Sequence, residues 1–251
     1  MYKIPENTLF LGKNLVYVPQ CHSTNALATE LGQRVETPDG TLIITDNQTE
    51  GRGQRGNKWE TEPGKNLTFS LVCKPGFLAL KDQFLLNEAV SIGIVDYVTG
   101  KVAEKVRIKW PNDILAGEKK VCGILIENHV SGEEILYSIV GIGLNINQTV
   151  FGYSHAGSLR HFTGKEYQLA DELAELLQEV EVRYLELKHG GRNELEEKYL
   201  ELLYQRGEVH QFCAKGEMFE GMITGVNESG QLTMEIGAEK KFFGVKEVTF
   251  L

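Results

Sequence analysis

The chain has 251 residues, 41% of them apolar, and carries 26 Lys plus Arg against 35 Asp plus Glu, a formal charge of −9. That length accommodates one large domain and a small one, and the acidic balance argues against sequence-nonspecific nucleic-acid binding. No apolar run reaches membrane-spanning length, and the N-terminus has neither an apolar h-region nor a cleavage-site pattern. Cys21, Cys73, Cys122 and Cys213 are scattered without a C-x-x-C pair and read as free thiols of a reducing cytoplasm. The six histidines pair with no cysteine or carboxylate at metal-ligand spacing, so no zinc site is expected.

In chain order, residues 14–18 read as a short strand. Ser23 or Thr24 then offers a cap for a helix to about residue 31. Capping alone explains both hydroxyls, although a helix N-terminus is also a polar pocket floor. After the Asp39-Gly40 turn, residues 41–46 form a strand and residues 67–73 another. Between them runs Gly51-Arg52-Gly53-Gln54-Arg55-Gly56-Asn57-Lys58-Trp59, with Gln48 just before it. Its three glycines allow close backbone approach to a ligand, and Arg52, Arg55 and Lys58 suit a phosphate or carboxylate. The G-x-G-x-x-G spelling by itself is weak. Pro63-Gly64 leaves no room for a Rossmann helix, and the kinase signatures V-A-I-K, H-R-D and D-F-G are missing. A solvated hairpin remains the plain alternative for such a loop in isolation.

Residues 80–98 read as a core helix, with Phe84, Leu85, Ala89, Ile92 and Val95 at helical spacing. Gly93 costs that helix about 1 kcal/mol of propensity, tolerable if it packs closely on a sheet. A strand at 106–110 stops at Pro111-Asn112-Asp113 and resumes at Ile114-Leu115. Strands 120–127 and 135–144 form a pair turning at residues 131–133. Asp113 sits at a strand kink where a carboxylate can face a cleft, and Lys120 opens an apolar strand. Gly123, Gly141 and Gly143 weaken their strands unless a ligand or backbone comes close. Singly these are a surface Asp, a surface Lys and bulge glycines; together they suggest a slot with a flat wall. Glu127 and Asn128 read as a solvated strand end or a dimer edge. Residues 147–165 read as loop, 167–188 and 194–204 as helices. From Gly207 short strands with turn signals follow, which fits a small SH3-like β-barrel at 207–251 after a larger domain at 1–206.

Ser23-Thr24-Asn25, Gln48-Thr49 with Gly51-Arg52-Gly53, Arg55-Gly56-Asn57-Lys58-Trp59, Lys109-Trp110-Pro111-Asn112-Asp113, Lys120-Val121-Cys122-Gly123-Ile124-Leu125 and the run from Gly141 to Asn147 resemble the biotin protein ligases in order and spacing. The resemblance spans nearly the whole chain. It implies an α+β fold of class II synthetase type, with a mixed, largely antiparallel sheet flanked by helices. The implied reaction makes biotinyl-5′-AMP from biotin and Mg-ATP, then transfers biotin to a lysine of the biotin carboxyl carrier domain of a carboxylase. By similarity, Arg52 clamps the carboxylate and phosphoryl group, Arg55 reaches the triphosphate and Trp59 packs on adenine. Lys120 holds the carboxylate, and Asp113 binds Mg or orients the attacking lysine. Ser23, Thr24 and Gln48 bond the ureido group, and the strand glycines with Ile124 admit the bicycle. Asn25, Gly51, Gly53, Gln54, Asn112, Gly123, Gly143 and Asn145 belong to the same ligand-contacting set. Gln54 departs from members with arginine there, and Glu50 from members with a small residue. The chain begins a few residues before its first strand and so resembles the short kind, without a DNA-binding segment, cytoplasmic and either monomer or homodimer. A lipoate or octanoate ligase or transferase and a non-catalytic biotin sensor are the competing readings. The loop at residues 47–59 is expected to be mobile and to order over the intermediate.

Overall fold

A computed structural model describes residues 2–251, the side chain of Arg55 excepted, so the role expected of that side chain lies outside the described residues. The large sheet contains β1 (Leu15–Cys21), β2 (Thr41–Gln48), β3 (Leu67–Cys73), β4 (Val106–Lys109), β5 (Asp113–Ala116), β6 (Lys119–Ser131) and β7 (Glu134–Leu144). Their order is β1-β2-β3-β7-β6-β5-β4. Only β1 and β2 run parallel. The two-residue period of a strand divides the side chains between the faces. On β3, Leu67, Phe69, Leu71 and Cys73 join one large apolar cluster, whereas Val72 joins a separate small one.

The large cluster is closed by α2 (Phe84–Thr99) and α4 (Leu169–Lys188), with α5 (Arg192–Leu202) beside them. Twelve of the sixteen residues of α2 are buried, so the helix is core on nearly every side. A Cβ on Gly93 would stand 2.7 Å from Val180 Cα. The close approach expected of Gly93 is therefore to α4, not to the sheet. The opposite face of the sheet is covered only in part, by α1 (Thr24–Gly32), where Ala28 packs with Ile43, Val72, Tyr137 and Ile139.

Residues 147–165 are not all loop. They contain α3 (Leu159–Thr163), opened by Ser158 Oγ accepting from His161 N–H at 3.1 Å and closed by Gly164 at φ 70°. Five residues are too few for an apolar period to declare itself. The last strands are β8 (Val209–Ala214), β9 (Glu217–Val226), β10 (Leu232–Ile236), β11 (Glu239–Phe243) and β12 (Thr249–Phe250). They pair antiparallel in the order β11-β10-β9-β8-β12. Among the described residues no ladder joins β11 to β12, so the pairing is that of a five-stranded sheet. Trp110 anchors it to the large sheet by donating its indole N–H to Gly230 O at 3.0 Å. No helix of the described residues is long and apolar enough to cross a membrane.

Candidate active site

The partly covered face opens into a cleft of about 770 Å³. At one end stands the start of α1. Ser23 holds the capping backbone position, yet its side chain makes no capping bond. Gln48 does that work from β2, its Oε1 accepting the Thr24 N–H at 2.8 Å. The capping reading of the Ser23 hydroxyl is thereby corrected, and Ser23, Thr24, Asn25 and Gln48 all line the cleft. Asn25 Nδ2 donates to Glu127 Oε2 at 2.7 Å, and Arg52 reaches the same oxygen at 3.4 Å.

The glycine-rich stretch is a narrow hairpin, not an open loop. Trp59 N–H donates to Gly51 O at 3.0 Å and Gly53 N–H to Asn57 O at 2.7 Å, around a short 3-10 turn over Gln54–Gly56. Gly56 takes φ 83°, a conformation natural to glycine. Gly51 does not line the cleft. A Cβ there would stand 2.3 Å from Trp59 O, so this glycine lets the two arms close. Gly53 and Gln54 do face the cleft.

Gly123 and Gly143 are directly paired across β6 and β7. A Cβ on Gly143 would lie 2.3 Å from Trp59 Cε2, and one on Gly123 2.9 Å from Trp59 Cζ3. The flat wall expected from these glycines exists, but the ring lying on it is the protein's own Trp59. Its indole N–H is buried without a hydrogen-bond partner, an unsatisfied donor beside the cleft that costs about 1–3 kcal/mol if left unpaired.

Across the cleft, Lys120 Nζ is 2.6 Å from Asp113 Oδ1 and 5.5 Å from the centroid of the Trp59 ring. Asn112 lines the cleft beside them, yet its amide is spent on Ile124 O, and its own carbonyl accepts the Ile124 N–H at 3.0 Å. Lys109 lies 4.9 Å from the centroid of the Phe250 ring, and burial draws its ammonium below the ordinary lysine range despite the opposing pull of Asp113. Asn145 is absent from the lining. Its Nδ2 donates to Gly157 O at 2.9 Å, while Lys120 exchanges backbone bonds with His155 O and Gly157 N at 2.7 and 2.9 Å. Asn145 thus holds the segment that backs Lys120, because its amide is turned away from the cleft.

Sequence reasoning missed Ser70, Glu127 as a partner of the site, and Val245, Lys246, Val248, Thr249 and Phe250, which close the cleft from the C-terminal segment. Ser70 left a faint signal, a hydroxyl inside an apolar strand. No group of three or more His, Cys, Asp or Glu among the described residues could hold a metal. A divalent cation here fits only as Mg²⁺ usually binds in nucleotide sites, on one or two carboxylates plus substrate phosphates, and Asp113 is the carboxylate that lines the cleft.

The model of the biotin/lipoate A/B protein ligase family matches residues 17–145. The chain belongs to that family. It is a ligase, and its likeness to biotin protein ligases extends well beyond the motifs. The bifunctional ligase/repressor BirA of Bacillus subtilis (strain 168) is 29% identical over 235 residues, covering 91% of this chain and 71% of that protein. A biotin–[acetyl-CoA-carboxylase] ligase of Mycobacterium tuberculosis is 23% identical over 243 residues, covering 95% and 90%. Among solved structures, the biotin protein ligase from Aquifex aeolicus in complex with biotin and ATP superimposes with a TM-score of 0.78 at 25% identity, covering 95% of this chain and 99% of that one.

Proposed function

We propose that this ligase activates biotin with ATP as biotinyl-5′-AMP and then transfers it to a lysine of a biotin carboxyl carrier domain, in the cytoplasm. The observation that carries the reading is the polarity of the cleft. Uncharged hydrogen-bonding groups (Thr24, Gln48, Asn25) gather at one end, and Arg52 and the Asp113–Lys120 pair stand along it. A neutral ureido ring suits the first and a carboxylate meeting an α-phosphate suits the second.

In the first step the biotin carboxylate attacks the α-phosphorus and the bond to pyrophosphate breaks. Two anions must approach, so fixed cations carry much of the catalysis. Arg52 and Lys120 supply that charge, with Arg52 exchanging its weak contact to Glu127 for the substrate anion. Asp113 would hold a Mg²⁺ ion at this point, and the ion would supply further neutralisation when bound. In the second step the neutral amine of the carrier lysine attacks the acyl carbon, AMP leaves with the bonding electrons, and the proton shed by the nitrogen passes to solvent. Asp113 would orient that amine and Lys120 would hold the departing phosphate, the two roles being supported by their ion pair at the cleft.

Trp59 acts as the movable cover of the glycine wall. For the bicycle to reach Gly123 and Gly143, the indole shifts and its unpaired N–H finds a partner, either nucleotide or water. We take residues 1–206 as the catalytic unit and 207–251 as a small SH3-like unit whose Lys246, Val248 and Phe250 close the nucleotide side.

The test is a mass measurement on purified carrier domains. Incubation with ATP and biotin is expected to add one biotinyl group to a biotin carrier domain, with no acylation of a lipoyl domain by lipoate or octanoate. Acylation of the lipoyl domain instead moves the substrate within the family. Tight biotin binding without any transfer makes the protein a sensor.

A further inference from the structure

The charged side chains of the cleft follow the strand order. Lys120 stands on β6, Asp113 on β5 and Lys109 on β4, the edge strand. Lys109 is the register partner of Asp113, so the carboxylate lies between two ammonium-bearing side chains and touches Lys120 at 2.6 Å. The glycine wall at Gly123 and Gly143 lies the other way, on β6 and β7. A carboxylate coming from that wall to meet an α-phosphate at Lys120 leaves the rest of a triphosphate to run outward, towards β4.

Lys109 is held from the second sheet. Its Nζ lies 4.9 Å from the centroid of the Phe250 ring. Phe250 pairs with Phe212 across β12 and β8, and its ring stands at 72° to that of the fully buried Phe212, with centroids 5.4 Å apart. The strand that carries Lys109 is fastened too, because the Tyr204 N–H donates to Ile108 O at 2.9 Å. A ring face attracts an ammonium without bringing a counter-charge. Burial works against the charge of Lys109, Asp113 and Glu118 favour it, and Lys120 opposes it. The ammonium is thus oriented but incompletely compensated, and a phosphate oxygen would complete its surroundings.

We propose that Lys109 binds the pyrophosphate end of ATP and stabilises it as it leaves, and that Phe250 is the positioning residue that holds the Lys109 ammonium in place. When the bond between the α-phosphorus and the bridging oxygen breaks, its electron pair stays on that oxygen, and Lys109 faces the charge developing on pyrophosphate. In the transfer step the leaving group is AMP, so Lys109 has no such charge to meet. The C-terminal sheet thereby serves adenylation and not transfer. The inference rests on the reading of the cleft as a biotin-adenylating site.

The test assays the two steps separately on the full chain. One assay is biotin-dependent exchange of pyrophosphate into ATP; the other is transfer from synthetic biotinyl-5′-AMP to a biotin carrier domain. Lys109→Met is expected to raise the KM for pyrophosphate and for ATP about tenfold or more and to lower exchange by about 10²-fold. Its transfer step should stay within about threefold of the parent. Phe250→Leu keeps apolar bulk but removes the ring face, so it should shift the same quantities in the same direction by about three- to tenfold. Phe250→Trp, which restores a ring face, should return them towards the parent. Loss of both steps together, or of the folded state, makes the pair a packing contact and overturns the inference, as does parental exchange in Lys109→Met. Selective loss in Lys109→Met beside parental behaviour in Phe250→Leu removes Phe250 from its role. If the unmodified protein catalyses neither step, the reading of the cleft falls, and this inference with it.

Discussion

On the helix-covered face of the large sheet, β3 and β7 contribute Leu67, Phe69, Leu71, Val140, Ile142 and Leu144 to one apolar cluster with Leu86, Val90, Leu173 and Leu177. On the other face the same two strands carry Thr68, Ser70, Gly141 and Gly143, all at the cleft or one bond behind it. One face is aliphatic and closely packed, which supplies stability at about 25 cal/mol for each Å² of apolar surface removed from water. The other replaces aliphatic bulk with hydroxyls and glycines, which gives up burial for hydrogen bonding and for room to admit a ring. Stability and chemistry are thus separated by the two-residue period of single strands, and substitutions on the two faces should separate in the same way.

The largest effects belong to the open face. Lys120→Ala and Arg52→Ala are each expected to lower biotin-dependent turnover by about 10²–10³-fold, the scale of losing one preorganised charge-stabilising donor. Both side chains are partly exposed, at 35% and 48%, so melting temperatures should barely move. Parallel loss of turnover and of the melting transition would erase the distinction between the faces.

The covered side answers with stability. Glu88, on α2, is buried, its Oε2 has no partner, and burial, followed by the charge of Glu196, pushes its carboxyl up to about 8 against the opposing Arg192. The folded state then holds the proton more tightly than the unfolded chain. Stability from this group is full below the ordinary glutamate value and is lost as pH rises towards 8, by at most about 1.4 kcal/mol per pH unit. Glu88→Gln should flatten denaturant stability between pH 5 and 8, a gain on the order of 2 kcal/mol at the upper end. An unchanged pH slope contradicts the assignment. Gly93→Ala is expected to cost about 1–2 kcal/mol by forcing α2 from α4, where the new Cβ would meet Val180 Cα at 2.7 Å. Its KM for biotin should equal the parent's; a raised KM would mean that the faces communicate.

Much of the site was legible because its residues are out of character locally. Lys120 and Asp113 interrupt apolar strand sequence, glycines recur in strands that should avoid them, and cations cluster in an acidic chain. Glu127 and Ser70 escaped for the opposite reason. Each is ordinary where it stands, and its meaning lies in partners 102 and 45 residues away. The stretch 51–59 was legible as glycine-rich, with a hairpin only as its plain alternative, since its closing bonds are backbone bonds that residue types do not announce. Asn145 matched a motif, yet its amide faces Gly157 behind Lys120. The C-terminal segment was legible as short strands from Gly207 onward, while their contribution to the cleft depends on how two sheets meet, which local patterning does not encode.

The smallest expected effect concerns that hairpin. Backbone amides of residues 51–59 should exchange with deuterium severalfold more slowly with biotin and ATP than without, because few apolar contacts besides Trp59 hold the segment. Unchanged exchange would mean a preset loop and a different way past Trp59.

The most direct measurement is biotin-dependent exchange of pyrophosphate into ATP, in the unmodified protein and in Lys120→Ala. The account predicts exchange that requires biotin in the first and is lost from a still-folded second. Exchange without biotin, or equal exchange in both, would contradict the assignment of adenylation to the open face of the sheet.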